Sequence, residues 1–306
     1  MTSRDLITAY IASLELRARK GAISNQTKFT YTQGIKAYVK TVGVAAPIST
    51  ETYVTFLGNF NSVSKSSRQT YKSGVLDFYN FCHAEFGIDI DHSSLREATR
   101  RYIGRIKVKI PKMDIETIEN VIKYAESLTG SLLNLRNRAF IVTVADTGFR
   151  AFEICALQIG SVNWNDGTAL ISGKGEKDAL VRFSPRALQY IREYLEARKE
   201  LDSRYQNHDS LPLFARHDKS ASTHVLPVGP GGMWAAVKDV ATAGGIDSEK
   251  VWIHALRHYY VTRILKKTGN LKLAQELARH SNIQVTQRYA HLSDSDLNDG
   301  YTSVFG

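Results

Sequence analysis

Six side chains between the middle of the chain and its end could together cleave a phosphodiester. They supply two guanidiniums, an ammonium, two imidazoles and a phenol: Arg150, Lys174, His254, Arg257, His280 and Tyr289. Such a reaction needs cations on the non-bridging oxygens, a proton for the leaving oxygen and an activated nucleophile. Guanidinium suits the first task because its fork is bidentate and always charged. No step strictly requires a metal, so we expect neither a metal nor another cofactor.

Three segments and one lysine of this set resemble the signature of the tyrosine recombinases, the family of phage integrases, Xer proteins and Cre. Thr147–Leu157 is similar to the first arginine box, His254–His258 to the H-x-x-R box, and His280–Tyr289 to the closing segment that ends in T-x-x-Y. Lys174 stands where the family carries its hairpin lysine, 24 residues after the first arginine. The resemblance extends over roughly residues 136–292 and rests on five elements in the right order, which are the first arginine box, the lysine, the H-x-x-R box, His280 and Tyr289.

The resemblance implies how a phosphate would be held and the leaving group protonated. Arg150 and Arg257 would clamp the scissile phosphate. Lys174, in the turn of a hairpin, would act as general acid toward the 5′ oxygen, with Lys177 as the alternative lysine. Glu153 lies three residues after Arg150, and we expect it to pair with a basic neighbour and orient it.

The resemblance also implies that Tyr289 is the nucleophile and becomes a 3′-phosphotyrosine. His254 would accept or orient the tyrosine proton. His280 would donate a hydrogen bond to a phosphate oxygen, with His291 as the alternative histidine. His258, which follows Arg257 directly, is expected to support the site or only to pack near it, and direct contact with the reacting groups is the alternative.

Two residues depart from the usual pattern of the family. Arg279 stands where a glycine is common, and it cannot copy the close backbone approach of glycine. We expect a phosphate contact or a salt bridge from Arg279 instead. Phe152 replaces a small polar residue beside the first arginine. Neither change removes a catalytic group, so we expect activity, but both argue against close kinship with housekeeping Xer proteins.

Hydrophobic periodicity indicates the elements that must position these residues. Two apolar stretches, 169–172 and 179–183, flank Lys174 and predict a β-hairpin. Ser184 followed by Pro185 predicts an N-cap and a helix that runs to about residue 203. Helical periodicity occupies segments 3–20, 25–42, 50–60, 64–86, 94–104, 114–128, 132–147, 151–157, 231–244, 253–268 and 271–280. The sequence therefore predicts a mainly α fold with a small antiparallel β-sheet in the catalytic domain.

Length and charge indicate two domains. A chain of 306 residues exceeds a typical single domain. Residues 1–112 carry 17 Lys and Arg against 8 Asp and Glu, whereas the remaining 194 carry 23 against 22. We expect a helical, SAM-like core-binding domain for DNA over 1–104, a basic linker over 105–112, and a catalytic domain with a short C-terminal tail over 113–306. The resemblance implies a two-domain, C-shaped clamp around duplex DNA.

The basic first third predicts contacts with a polyanion. Charge alone does not choose between DNA, RNA and an anionic membrane surface, and a solvated basic face is the alternative. Candidate phosphate contacts lie in the first turns of the helix over 64–86 and in the linker: Lys65, Arg68, Lys72, Arg105, Lys107 and Lys109. The resemblance selects double-stranded DNA as the partner.

Composition indicates the compartment. No apolar run approaches the roughly 20 residues that span a bilayer, and the N-terminus is unlike a signal peptide. Cys82 and Cys155 lie in apolar contexts, which predicts buried free thiols in a reducing cytoplasm. We therefore expect no membrane partner and a cytoplasmic, nucleoid-associated protein.

The resemblance implies site-specific DNA recombination by a homotetramer on two recombination sites. The tail over 293–306 would dock on a neighbouring protomer through Val304 and Phe305, and an unstructured terminus is the alternative. Because the chain opens on the core-binding pattern, we expect no extra arm-site domain. Integration or excision of a mobile element is the favoured role, with Xer-like resolution of chromosome or plasmid dimers as its alternative. A type IB topoisomerase and a DNA-binding protein that no longer cleaves are the rivals.

Overall fold

The computed structural model describes residues 2–59, 65–103, 114–172, 178–287, 289 and 302. Several residues named above lie outside this part of the chain: Arg105, Lys107, Lys109, Lys174, Lys177, His291, Val304 and Phe305. The chain divides into two compact units, Met1–Lys109 and Ile110–Gly306. Across the described ranges, no helix is both long enough and apolar enough to cross a membrane.

In the described part of the first unit, the regular elements are all helices. Its helices are α1 (Ser3–Arg19), α2 (Asn25–Val42), α3 (Thr50–Gly58), α4 (Lys65–Phe86) and α5 (His92–Ile103). Thr2, Ser24 and Ser49 cap the first three helices, because each side-chain oxygen accepts a backbone N–H of the first turn. These helices confirm the predicted ones, with ends that differ by a few residues.

Two glycines let α2 and α4 approach each other closely. A Cβ on Gly34 would lie 2.7 Å from the carbonyl oxygen of Tyr71, and one on Gly74 would lie 2.8 Å from Cα of Tyr31. Buried aromatic rings fill the space around this crossing: Tyr10, Tyr38, Tyr53, Phe56, Phe78 and Tyr79. The first unit therefore has a hydrophobic core of its own.

The second unit combines helices with a small sheet. Its helices are α6 (Ile115–Glu126), α7 (Leu132–Thr147), α8 (Ala151–Cys155), α9 (Pro185–Asp202), α10 (Pro230–Ala243), α11 (Ile253–Thr268), α12 (Leu271–Ala278) and α13 (Ile283–Gln287). Its strands are β1 (Val162–Asn163), β2 (Thr168–Ser172) and β3 (Asp178–Arg182). β1 and α13 were not predicted, because elements of two and five residues are too short to show a period.

The sheet is antiparallel with strand order β1-β2-β3. Ala169 pairs with Val181, and both side chains are buried together with Ile171. Leu170 and Leu180 alternate with these residues and are exposed. This sheet and the surrounding helices confirm the predicted mainly α fold with a small antiparallel sheet.

α7 is the central helix of the second core. Ala139, Phe140, Val142 and Val144 are all fully buried, and the helix packs against α6, α9 and α11. Every residue from Arg136 to Ala145 is buried, so the surrounding protein encloses the helix on all sides. α7 therefore gives a fixed support to the segment that follows Thr147.

Two local predictions are confirmed. The Ser184 side chain accepts the backbone N–H of Ala187 at 3.2 Å, and Pro185 is the first residue of α9. Cys82 and Cys155 are buried free thiols, and burial raises their pKa to about 12 and about 11.

Candidate active site

Gly148 makes the turn between α7 and α8 that carries Arg150. It follows the end of α7 with a φ of +63°, a left-handed conformation that glycine adopts without strain. A Cβ at this position would also lie 2.4 Å from Cδ1 of Tyr260. Conformation and space therefore both require glycine, and the turn sets Arg150 at the N-cap of α8.

Glu153 is the buried carboxylate that holds Arg150. Its Oε2 accepts the backbone N–H of Arg150 at 2.8 Å, and its Oε1 accepts a guanidinium N–H at 2.6 Å. Burial would raise the pKa of Glu153, but the hydrogen bonds from Arg150 and the charge of Arg279 lower it overall. Glu153 is thus a buried anion that orients a basic neighbour, as predicted.

Arg257 lies on α11 and is almost completely buried. Its guanidinium donates hydrogen bonds to the backbone carbonyls of Gly148 and Ala278. Burial lowers the pKa of Arg257 to about 10, and the charges of Arg150 and Arg279 add to this effect. Arg257 is still a cation at neutral pH, and its two carbonyl partners fix the direction of the guanidinium.

Tyr289 packs against two histidines. Its hydroxyl is in hydrogen-bond contact with Nδ1 of His258, and the two ring centroids lie 5.2 Å apart. The His280 ring is nearly parallel to the phenol at a centroid distance of 6.5 Å. Nδ1 of His280 lies 2.8 Å from Oγ1 of the buried Thr286, so this imidazole is itself fixed.

Three histidines of this region have lowered pKa values. Burial lowers the pKa of His258 and that of His280 to about 4, and neighbouring charged or titratable side chains add to the effect. Part of His254 is exposed to solvent. The surrounding protein nevertheless desolvates its ring, and this desolvation and the charges of Arg257 and Arg150 lower its pKa as well. All three imidazoles are therefore neutral at pH 7, and each can accept a proton on one nitrogen while it donates from the other.

Arg279 joins the segment before His280 to the turn that carries Arg150. Its guanidinium forms an ion pair with Glu153 at 3.0 Å and donates to the carbonyl of Gly148 at 3.2 Å. The carbonyl of Arg279 in turn accepts an N–H of Arg150 at 3.1 Å. Of the two contacts expected for Arg279, a phosphate contact or a salt bridge, the salt bridge is confirmed.

A groove of about 980 Å³ opens beside Arg150. The Arg150 side chain is 33% exposed, so its guanidinium is accessible, whereas that of Arg257 is buried. Arg182 and Arg279 line the groove together with the neutral His280, the carboxylates of Glu153, Asp178 and Glu276, and the apolar residues Phe152, Leu180 and Leu273. A groove with accessible guanidiniums can bind an anionic oxygen such as that of a phosphodiester.

The structure brings most of the predicted catalytic residues together in the second unit. Five of them share this region: Arg150, His254, Arg257, His280 and Tyr289. Lys174 and the alternatives Lys177 and His291 lie outside the described residues.

One assignment changes. His254 was expected to accept or orient the tyrosine proton, but the Tyr289 hydroxyl contacts His258. A signal for this contact was available, since residues four apart on α11 lie on one face of the helix. What sequence could not supply was which of the two imidazoles faces the phenol.

The candidate phosphate contacts of the first unit lie at the start of α4. Lys65 is the first residue of that helix, and Arg68 and Lys72 follow within two turns. Arg68 and Lys72 are half-buried, and burial lowers the pKa of Lys72. Arg105, Lys107 and Lys109 lie outside the described residues.

Known proteins resemble this chain over nearly its whole length. Residues 111–296 match the family described as "Phage integrase family". "Tyrosine recombinase XerD" of Rhizobium meliloti (strain 1021) is 29% identical over 311 residues, which cover 96% of this chain and 94% of that protein. "Tyrosine recombinase XerD" of Lacticaseibacillus casei is 31% identical over 225 residues, which cover 74% and 72%.

Solved structures share the fold. The Tn1549 transposon integrase in complex with transposon right end DNA matches with a TM-score of 0.72 at 16% identity, covering 100% of both chains. The XerH site-specific recombinase bound to palindromic difH substrate matches with a TM-score of 0.70 at 20% identity, covering 95% of this chain and 84% of that one. The matched family and the curated relatives establish that the chain belongs to the phage integrase family of tyrosine recombinases, enzymes that cleave and rejoin DNA.

Proposed function

We propose that this enzyme cleaves and rejoins duplex DNA at specific recombination sites, with Tyr289 as the nucleophile that forms a 3′-phosphotyrosine. The observation that carries the proposal is the contact of the Tyr289 hydroxyl with the neutral His258 imidazole, close to Arg257. A phenol has a pKa near 10 in water and needs a base or a strongly positive site to attack. Both are present at this tyrosine.

In the proposed reaction, the phenol proton passes to Nδ1 of His258 while the oxygen attacks phosphorus. Arg150 binds a non-bridging oxygen from the groove, and Arg257 stabilises the charge that develops on the phosphate. When Nδ1 of His280 accepts the hydroxyl proton of Thr286, its Nε2 carries the N–H and donates to a phosphate oxygen. The roles of His280 and of the two arginines follow the resemblance, and the role of His258 replaces the one first given to His254.

Two further steps complete the reaction. Lys174 protonates the 5′ oxygen as it leaves, which completes cleavage. The phosphotyrosine conserves the energy of the phosphodiester, so the 5′ hydroxyl of another strand can attack it and release the tyrosine. The first unit supplies affinity as a core-binding domain, through phosphate contacts from the start of α4 and from the basic linker.

We also infer a homotetramer on two sites, coupled by exchange of the tail over 293–306. An apolar groove of about 640 Å³ on the second unit supports this part of the proposal. Side chains of α11 and α12 form its apolar wall (Tyr260, Ile264, Leu273 and Leu277), and the charged residues Asp146, Arg186, Arg263 and Lys267 also line it. The apolar pair Val304 and Phe305 of a neighbouring protomer suits a groove of this volume and character.

Integration or excision of a mobile element is the biological role that we propose. Arg279 and Phe152 support it, since both depart from the pattern of housekeeping Xer proteins. Resolution of chromosome or plasmid dimers is the second candidate, because the curated relatives are named XerD and align over as much as 97% of this chain.

A plasmid assay tests the proposed function. One plasmid carries two directly repeated copies of a candidate site, either an element end or a chromosomal dimer-resolution site from the host, and a matched plasmid carries none. A site-specific recombinase splits the first plasmid into two circles and leaves the second one supercoiled. Relaxation of the plasmid without sites would instead indicate a type IB topoisomerase. Binding without any strand breakage would indicate a protein that no longer cleaves.

A further inference from the structure

Arg279 occupies a backbone conformation that favours glycine. It ends α12 with φ +57° and ψ +44°, in the left-handed region that side chains with a Cβ rarely adopt. Glycine would fill this position without strain, and it is common there in the family that the sequence resembles. An arginine that persists in this conformation must be held by its side chain or its neighbours.

The Arg279 side chain is held on several sides. Its Nη2 lies 3.0 Å from Oε2 of Glu153 and 3.2 Å from the carbonyl oxygen of Gly148, and its Nη1 lies 3.4 Å from the carbonyl oxygen of Thr147. The guanidinium carbon lies 5.4 Å from the centroid of the Phe149 ring. Only 10% of the side chain is exposed. These donors face a carboxylate and carbonyls, which favours an internal role for Arg279 over the phosphate contact that was the other expectation.

The backbone around Arg279 holds the other two arginines. The carbonyl of Arg279 accepts from Arg150, and the carbonyl of Ala278 accepts from Arg257. Arg257 also donates to the carbonyl of Gly148, the same oxygen that accepts from the Arg279 side chain. The end of α12 and the turn after α7 are therefore cross-linked by three guanidiniums.

We propose that Arg279 is a positioning residue that fixes the segment carrying His280 and Tyr289 onto the turn carrying Arg150. It acts through Glu153 and the carbonyl of Gly148 and does not touch the substrate. The consequence is a fixed alignment between the nucleophile and the phosphate-binding arginines. This inference rests on the proposed function. A small misplacement of reacting groups costs up to about 100-fold in rate, so the loss of this cross-link should be visible in cleavage.

Three substitutions separate charge, geometry and backbone at this position. Arg279→Gly removes the guanidinium and relaxes the left-handed backbone, Arg279→Gln removes the charge, and Arg279→Lys keeps it. We expect adduct formation on nicked duplex DNA to slow about 10- to 100-fold in the Gly and Gln variants and less than about fivefold in the Lys variant. The dissociation constant for the same DNA should change less than about twofold. Arg192→Gln, on the exposed face of α9, is the matched control and should cleave at the wild-type rate.

A double substitution tests whether Arg279 acts on cleavage through Glu153. Glu153→Gln combined with Arg279→Gln should lose less than the product of the two single losses, because both changes break one ion pair. Hydrogen exchange of the segment over 277–287 should also rise in the Gly variant.

Other outcomes would overturn the inference. If the Gly and Gln variants cleave at the wild-type rate, Arg279 does not position the site, and the proposed function stays intact. A parallel fall of DNA affinity, melting temperature and cleavage rate would also overturn the inference, because it would show that Arg279 only stabilises the fold. If the Gly variant does not fold, the comparison of Gln with Lys decides. Wild-type protein that forms no adduct on any candidate site would contradict the proposed function, and the role of Arg279 with it.

Discussion

The hydroxyl of Tyr289 contacts Nδ1 of His258, the residue that directly follows Arg257 on α11. Arg257 is anchored to the carbonyls of Gly148 and Ala278, so this short stretch of helix cannot shift freely. The buried anchor that orients a guanidinium therefore also positions the acid–base partner of the phenol. The cation Arg257 and the base His258 are therefore positioned together by the same part of α11.

Replacement of His258 by glutamine tests its role as the base. Glutamine keeps a hydrogen-bonding side chain but cannot take up a proton at neutral pH. We expect adduct formation to slow about 100-fold or more, since a positioned base contributes roughly 10²–10⁴-fold, while DNA affinity stays the same. Single-turnover cleavage of a nicked duplex measures this rate. His254→Gln is the matched control. A larger loss of rate in that variant would show that His254, and not His258, accepts the tyrosine proton.

The pH dependence of cleavage should report the lowered pKa of the base. Burial lowers the pKa of His258 to about 4, so the imidazole accepts a proton above that pH and is already protonated below it. Adduct formation should therefore be insensitive to this histidine between about pH 7 and pH 5 and fall as the pH approaches 4. Rates measured on preformed protein–DNA complexes check this expectation. An acid limb centred near 6.5, the ordinary histidine value, would contradict it.

Gly148→Ala tests the turn that positions Arg150. The new Cβ meets both an unfavourable φ and the Tyr260 ring, so we expect the free energy of unfolding to fall by about 3 kcal/mol. Gly130→Ala is the control for conformation alone, because Gly130 has a φ of +86° and no atom within 4 Å of the added Cβ. It should cost about 1–2 kcal/mol. Urea denaturation measures both, and equal losses would show that Tyr260 does not restrict the turn.

Local features of the site could be predicted from the sequence. The helical period over 132–147 predicted the end of α7, and Ser184 with Pro185 predicted the start of α9. Glu153 lies one helical turn from Arg150, so its role as partner follows from spacing alone. Each of these depends on residues close together in the chain, where helix and turn geometry decide the contact.

Contacts between distant segments could not be predicted in this way. Arg257 and Gly148 are 109 residues apart, and Arg150 and Arg279 are 129 apart. Periodicity shows which face of a helix is buried but not which partner it meets. The left-handed conformation of Arg279 is disfavoured by local propensity, and contacts of its side chain with distant residues offset that cost, among them the ion pair with Glu153 and the hydrogen bond to the carbonyl of Gly148.

Deletion of residues 293–306 tests tail exchange. We expect DNA affinity to stay near the wild-type value and strand exchange between two sites to fall at least about tenfold, because coupling between protomers is lost. Ile264→Glu, which places a charge in the apolar groove, should give the same pattern. Gel-shift binding and recombination of a two-site plasmid measure the two quantities. Equal loss of binding and exchange would contradict tail exchange.

Covalent capture on nicked duplex DNA tests Tyr289 as the nucleophile. A nick beside the cleavage position lets the short product diffuse away, so a phosphotyrosine would accumulate. Tyr190→Phe, on α9, is the matched control and should form as much adduct as the wild-type protein. We predict an adduct that resists denaturation and whose linked peptide contains Tyr289, and no adduct with Tyr289→Phe. An adduct that persists in Tyr289→Phe would show that another residue attacks the phosphate.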